Sequence, residues 1–158
     1  MKHITIEKTR PMLFIMALIS LMAIYSCRVT LVPPYDAVIM EQIDETSKAV
    51  DKFYLVMLET TSNTSGGRAY ELFAEDYVNI EVELNYLLNK NKIRPLNENS
   101  TRICEITLQL WQKYKMEHKE DNSLPDGMIE LNRQTFSDLF YAMQVAEKAK
   151  EIVTNPPN

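Results

Sequence analysis

Glycine is scarce in this 158-residue chain, with only three residues. That is too few for a phosphate-cradling enzyme loop or for the many tight turns of a β-sandwich. Two cysteines and two histidines leave little material for a disulfide scaffold or a His-rich metal site. Positive charge is also in deficit: 17 Lys+Arg stand against 22 Asp+Glu, net −5, so the basic footprint that nucleic acid requires is missing. No period-two alternation with hairpin turn residues occurs, and strands are not expected. What remains is 46% apolar and 25% charged residues, the composition of one ordinary globular domain with a core.

The most informative segment is the first. Residues 1–10 carry Lys2, Lys8 and Arg10 against Glu7, and a charge-free run, Met12 to Tyr25, follows. As a helix that run is about 21 Å long, short of the ~30 Å hydrocarbon core of a bilayer. A basic start followed by a short apolar run reads as an export signal and not as a spanning helix.

The run ends Ile24-Tyr25-Ser26-Cys27, which resembles the lipobox of bacterial lipoproteins. In that family an aliphatic residue stands three positions before the cysteine and a small one directly before it. Ile24 and Ser26 match these positions, and the resemblance implies that Cys27 is the lipidated first residue of the mature chain. It further implies a membrane anchor of several acyl chains, palmitate among them, which holds far longer than a single chain would. An acidic residue after the cysteine favours inner-membrane retention in this family. Arg28 stands there instead, implying the outer membrane and its periplasmic side.

Loss of residues 1–26 would remove three bases and one acid, leaving 14 against 21, net −7. With Cys27 lipidated, Cys104 has no disulfide partner in an oxidising compartment and is expected to be buried and inert. On that resemblance, residues 27–34 are expected to be the lipidated cysteine and a tether, stiffened by Pro33-Pro34.

Residues 35–158 read as four amphipathic helices. Asp36 can cap the first, whose seam is Ile39, Ile43, Thr46, Val50, Phe53 and Met57. A second, from about Arg68 to Asn91, aligns Tyr70, Phe73, Tyr77, Ile80, Leu84 and Leu87. The third, from about Thr101 to His118, carries Ile103, Ile106, Leu110 and Tyr114 in one stripe, with Cys104, Leu108 and Trp111 in an adjacent one. A connection at 119–127 leads to the fourth, from about Met128 to Val153. Its apolar arc is Met128, Leu131, Phe136, Leu139, Phe140, Met143, Ala146 and Ala149. The expected fold is all-α: an antiparallel up-down-up-down four-helix bundle.

Chemistry is thinly supported. A di-iron carboxylate bundle needs Glu-x-x-His pairs, and His118 has Lys115 three residues before it. No G-x-S-x-G elbow accompanies the many serines. Adjacent acids such as Glu75-Asp76 point about 100° apart on a helix and read as solvated faces. Glu117, His118 and Glu120 read as a solvated helix end. No catalytic residue, metal site, cofactor or nucleic-acid partner is expected.

One feature does not fit a plain bundle. Val78, Val82 and Tyr86, spaced by four, lie opposite the seam of the second helix, a second apolar face that suggests a partner surface. The expected function is therefore a non-catalytic interaction module, lipid-anchored in the cell envelope, that binds another envelope protein or its own copy. The resemblance to small helical lipoproteins also admits an exclusion or immunity role. A ligand or metal carrier using the bundle core is the alternative, and an enzyme would need a polar pocket the sequence does not advertise.

Overall fold

The computed structural model describes residues 31–154. The expected signal and Cys27 lie outside the described residues. Those residues form four α-helices: α1 (Ala37–Thr60), α2 (Ala74–Lys92), α3 (Glu98–Asp121) and α4 (Asp126–Thr154). A short 3-10 turn, Tyr70–Leu72, precedes α2. Each helix packs on its two chain neighbours in a closed ring, most extensively α1 on α4 and α2 on α3. This is the up-down-up-down four-helix bundle. One end holds the start of α1, the α2–α3 loop and the end of α4. The opposite end holds the α1–α2 and α3–α4 loops.

Local chemistry explains most boundaries. The Asp36 carboxylate accepts the amides of Val38 at 2.9 Å and Ile39 at 3.3 Å, two of the donors a helix start leaves unpaired. In the loop after α1, a Cβ on Gly67 would lie 2.9 Å from the Ser62 backbone, so only glycine permits that close return. Asn122 ends α3 in a left-handed conformation (φ 50°), which asparagine tolerates well, and its side chain accepts the Tyr70 amide at 3.0 Å.

Four expected boundaries shift. The second helix starts at Ala74 instead of Arg68, because Arg68 and Tyr70 are bound to the opposite loop and cannot continue a helical ladder. The third gains about a turn at its N-terminus and three residues at its C-terminus. The connection expected at 119–127 shrinks, since Lys119–Asp121 close α3 and Asp126–Gly127 open α4.

The seams of the first two helices are buried at every position named from the sequence. On α3 the stripe of Cys104, Leu108 and Trp111 is buried, with Ile103, Leu110 and Tyr114 half-buried against it. Phe53 is the hub: its ring lies edge-on to Tyr54, Phe73, Tyr77 and Trp111, with centroids 4.7–5.8 Å apart. Edge-to-face pairs add roughly 0.5–1.5 kcal/mol each beyond area burial. Trp111 is fully buried and donates its indole N–H to the Tyr77 carbonyl at 3.1 Å.

The expected arc of α4 is partly wrong. Met128, Leu131 and Ala149 are exposed. The buried line is Ile129, Asn132, Phe136, Phe140, Met143, Glu147 and Lys150. Apolarity alone misplaced both ends of the arc, because polar residues at 132, 147 and 150 occupy the inward positions there.

Two substitutions on opposite faces of α4 test this reassignment. Ile129→Ala should lower the unfolding free energy by about 2–5 kcal/mol, through lost transfer energy and a cavity. Leu131→Ala should stay within about 0.5 kcal/mol. Equal losses in urea unfolding would mean that α4 is rotated from this register.

Candidate functional site

The expected lipidation residue, Cys27, is outside the described residues, so the candidate site rests on the bundle. Val78, Val82 and Tyr86 are 51%, 59% and 47% exposed, while Tyr77, Ile80, Leu84 and Leu87 on the same helix are buried. No described segment covers the strip. The Lys90 ammonium lies 5.2 Å from the Tyr86 ring centroid, close enough for cation–π attraction at the strip's edge. Acidic side chains border it: Glu75 and Glu83 are exposed. Glu81 accepts from Gln112 at 2.8 Å and Lys115 at 2.9 Å. Burial pushes the Glu81 carboxyl up, but these donors outweigh it and hold it below its usual value. The strip is thus an apolar face with a charged rim.

Cys104 is a free, buried thiol, as the sequence suggests. Burial pushes it up to about 12, so it is protonated and a poor nucleophile at neutral pH. Among the described residues no group of three or more His, Cys, Asp or Glu side chains is placed to hold a metal ion. None of the described helices is long and apolar enough to cross a membrane.

The expectation of a solvated helix end at His118 is corrected. His118 has no solvent exposure. Its Nε2 lies 2.7 Å from the Arg68 carbonyl and its Nδ1 3.1 Å from the Tyr77 hydroxyl. A carbonyl can only accept, so Nε2 carries the proton and Nδ1 accepts from the tyrosine. Burial disfavours the imidazolium, so at neutral pH the ring is uncharged and the Tyr77 hydroxyl donates to Nδ1; protonating Nδ1 would turn that hydroxyl from donor to acceptor. The Arg68 side chain is itself buried. Its guanidinium donates to the carbonyls of Met57, Thr61 and Leu124 and pairs with Asp126, tying both loops of that end together. The helical pattern leads an inward imidazole to be read as a surface group, because its partners lie 41 and 50 residues away in sequence.

The opposite end holds a charge cluster that the sequence reading missed. Glu147 accepts from Arg94 at 2.9 and 3.1 Å, from Lys150 at 2.6 Å and from the Asp36 amide at 2.9 Å. Lys150 also donates to Asn97 at 2.8 Å, and Asn97 donates to Asn91 at 2.8 Å. Arg94 donates a further bond to the Pro34 carbonyl. Burial raises the Glu147 carboxyl, yet its four donated bonds prevail and hold it below its ordinary value; burial lowers Lys150 more than Glu147 raises it. The available signal was the Glu147-x-x-Lys150 spacing in phase with Phe136, Phe140 and Met143.

His118 gives a pH test. Burial lowers its folded-state value below the ordinary 6.5, opposed in part by the Arg68 carbonyl. Below that value the unfolded chain takes up a proton that the folded chain resists. Stability is therefore full above 6.5 and falls as pH drops. Glu147 acts in a lower window, beginning to lose its contribution near 4.5. Urea midpoints should fall between about pH 7.5 and pH 5.5, and His118→Gln should flatten that slope. An unchanged slope would assign the pH dependence elsewhere.

The sequence matches no protein-family model, and no curated protein or solved structure gives a significant match to it.

Proposed function

We propose that this chain is a non-catalytic interaction module of a bacterial cell envelope, lipid-anchored through Cys27 on the periplasmic face of the outer membrane. Its α2 face binds an envelope protein or a second copy of the chain. An exclusion or immunity role fits the same description. The observation that carries the reading is the exposed Val78–Val82–Tyr86 strip on the helix face opposite its seam. Apolar anchors with a charged rim are the usual anatomy of a protein–protein contact. The aromatic packing around Phe53 and Trp111 supports a surface role over a carrier role, since rings fill the place a core ligand would need. The anchoring half of the proposal rests on the basic segment, the apolar run and Ile24-Tyr25-Ser26-Cys27.

Two experiments test the halves separately. Val82→Asp should leave the melting temperature nearly unchanged, within about 0.5 kcal/mol. It should nevertheless abolish the crosslinks the parent forms in envelope membranes, because a partner contact would bury an unpaired charge. Leu84→Ala, in the seam, should destabilise by about 2–5 kcal/mol. If Val82→Asp unfolds the domain as severely, or leaves the crosslinks intact, the strip is not a partner surface. For the anchor, Cys27→Ser should abolish incorporation of a palmitate analogue and leave unprocessed precursor. Undiminished labelling of that variant refutes the lipid assignment.

A further inference from the structure

The α2–α3 loop exposes apolar side chains that the bundle itself does not require. Ile93, at the end of α2, is 80% exposed and Leu96 is 52% exposed. Leu96 also sits in the left-handed region at φ 58°, a conformation that favours glycine or asparagine. Their neighbours explain why they point away from the core. Arg94 reaches inward to Glu147 and to the Pro34 carbonyl, and Asn97 reaches inward to Asn91 and Lys150. Between these two inward residues, Pro95 and Leu96 form the crest of the loop. Val38 in the first turn of α1, and Ile152 and Val153 in the last turn of α4, are exposed at the same end of the bundle.

Charge is distributed to match. Residues 71–83 hold five acids and no base, whereas residues 90–102 hold four bases and one acid. Of those bases Arg94 is committed to Glu147, but Lys92 and Arg102 share the single carboxylate of Glu105, at 3.4 and 3.5 Å. They border an open hollow of about 450 Å³ at the start of α3. The Asn97 side chain, directed to Asn91 and Lys150, makes no bond to the first amides of that helix. This end of an acidic chain thus sets three bases, Lys92, Arg94 and Arg102, beside the exposed apolar side chains of Ile93 and Leu96. Pro34, just before α1, lies at this same end, its carbonyl held by Arg94.

We propose that this end of the bundle docks on an anionic phospholipid surface. Ile93 and Leu96 enter the interfacial region, and Lys92 and Arg102 meet headgroup phosphates. The inference rests on the anchoring reading above and adds to it a second contact, made by the folded body. Exposed apolar side chains flanked by bases bind interfaces by this combination of burial and attraction to anionic lipid.

Tryptophan quenching tests it. Trp111 is fully buried and serves as an unquenched background. The full chain, purified in detergent from the membranes that express it, is reconstituted into phosphatidylcholine vesicles containing phosphatidylglycerol and brominated phosphatidylcholine. Ile93→Trp and, separately, Leu96→Trp should be quenched severalfold more than the parent chain, and more strongly with phosphatidylglycerol than without it. Val82→Trp, on the α2 strip, should behave like the parent. Quenching of Ile93→Trp and Leu96→Trp no greater than that of Val82→Trp overturns the docking. Equal quenching without phosphatidylglycerol overturns the role given to Lys92 and Arg102. A chain that fails to float with the vesicles overturns the anchoring and this inference together, whereas one that floats without quenching overturns the inference alone.

Discussion

A carboxylate almost sealed from water must be surrounded by donors, and Glu147, 2% exposed, is the group around which one end of this bundle is assembled. Its donors come from three places in the chain: the Asp36 amide at the start of α1, Arg94 in the α2–α3 loop, and Lys150 one turn further along α4. None of these partners can leave without stranding charge, and breaking a buried pair costs about 3–5 kcal/mol. The α2–α3 loop therefore has little freedom in its backbone. That is why a leucine can be held at positive φ, a placement that costs roughly 1–2 kcal/mol in isolation.

The far end solves the same problem differently. There a buried guanidinium gathers carbonyls, with a single carboxylate, Asp126, left at the surface. Arg68 gathers the end of α1 and the α3–α4 loop, while its own carbonyl fixes the tautomer of His118. Between the two polar ends lies the aromatic packing around Phe53 and Trp111. The apolar middle provides burial; the ends fix which loop lies where and so limit alternative helix arrangements.

The fold was legible because the seams of α1 and α2 repeat at spacings of three and four with no polar interruption except Thr46. That threonine donates its hydroxyl to the Gln42 carbonyl within its own helix and so needs no distant partner. The strip on α2 was legible for the same reason: apolar side chains in helical phase announce a face whether or not anything covers it. Legibility failed where buried positions are polar. Glu147, Lys150, Arg68 and His118 are inward-facing, and their burial depends on partners 41–111 residues distant or on another loop. Periodicity carries no information about such pairings. The start of α2 was misplaced by the same cause, since Arg68 and Tyr70 bond across the bundle end instead of along a helix.

The docking of Pro34 and Asp36 has a geometric consequence. With those residues held by Arg94 and Glu147, the compact body begins at Val32. Only four residues, Arg28 to Leu31, would separate a lipidated Cys27 from that body, so Cys27 and Val32 could stand at most ~18 Å apart. Along α2, Tyr86 and Val78 stand roughly 9 and 21 Å from the helix end at Lys92. For a body resting on its Ile93 end, the strip becomes a ruler. It would select partners whose own contact surfaces rise roughly 10–20 Å above the same lipid headgroups, and it would stay out of reach of anything moored farther away.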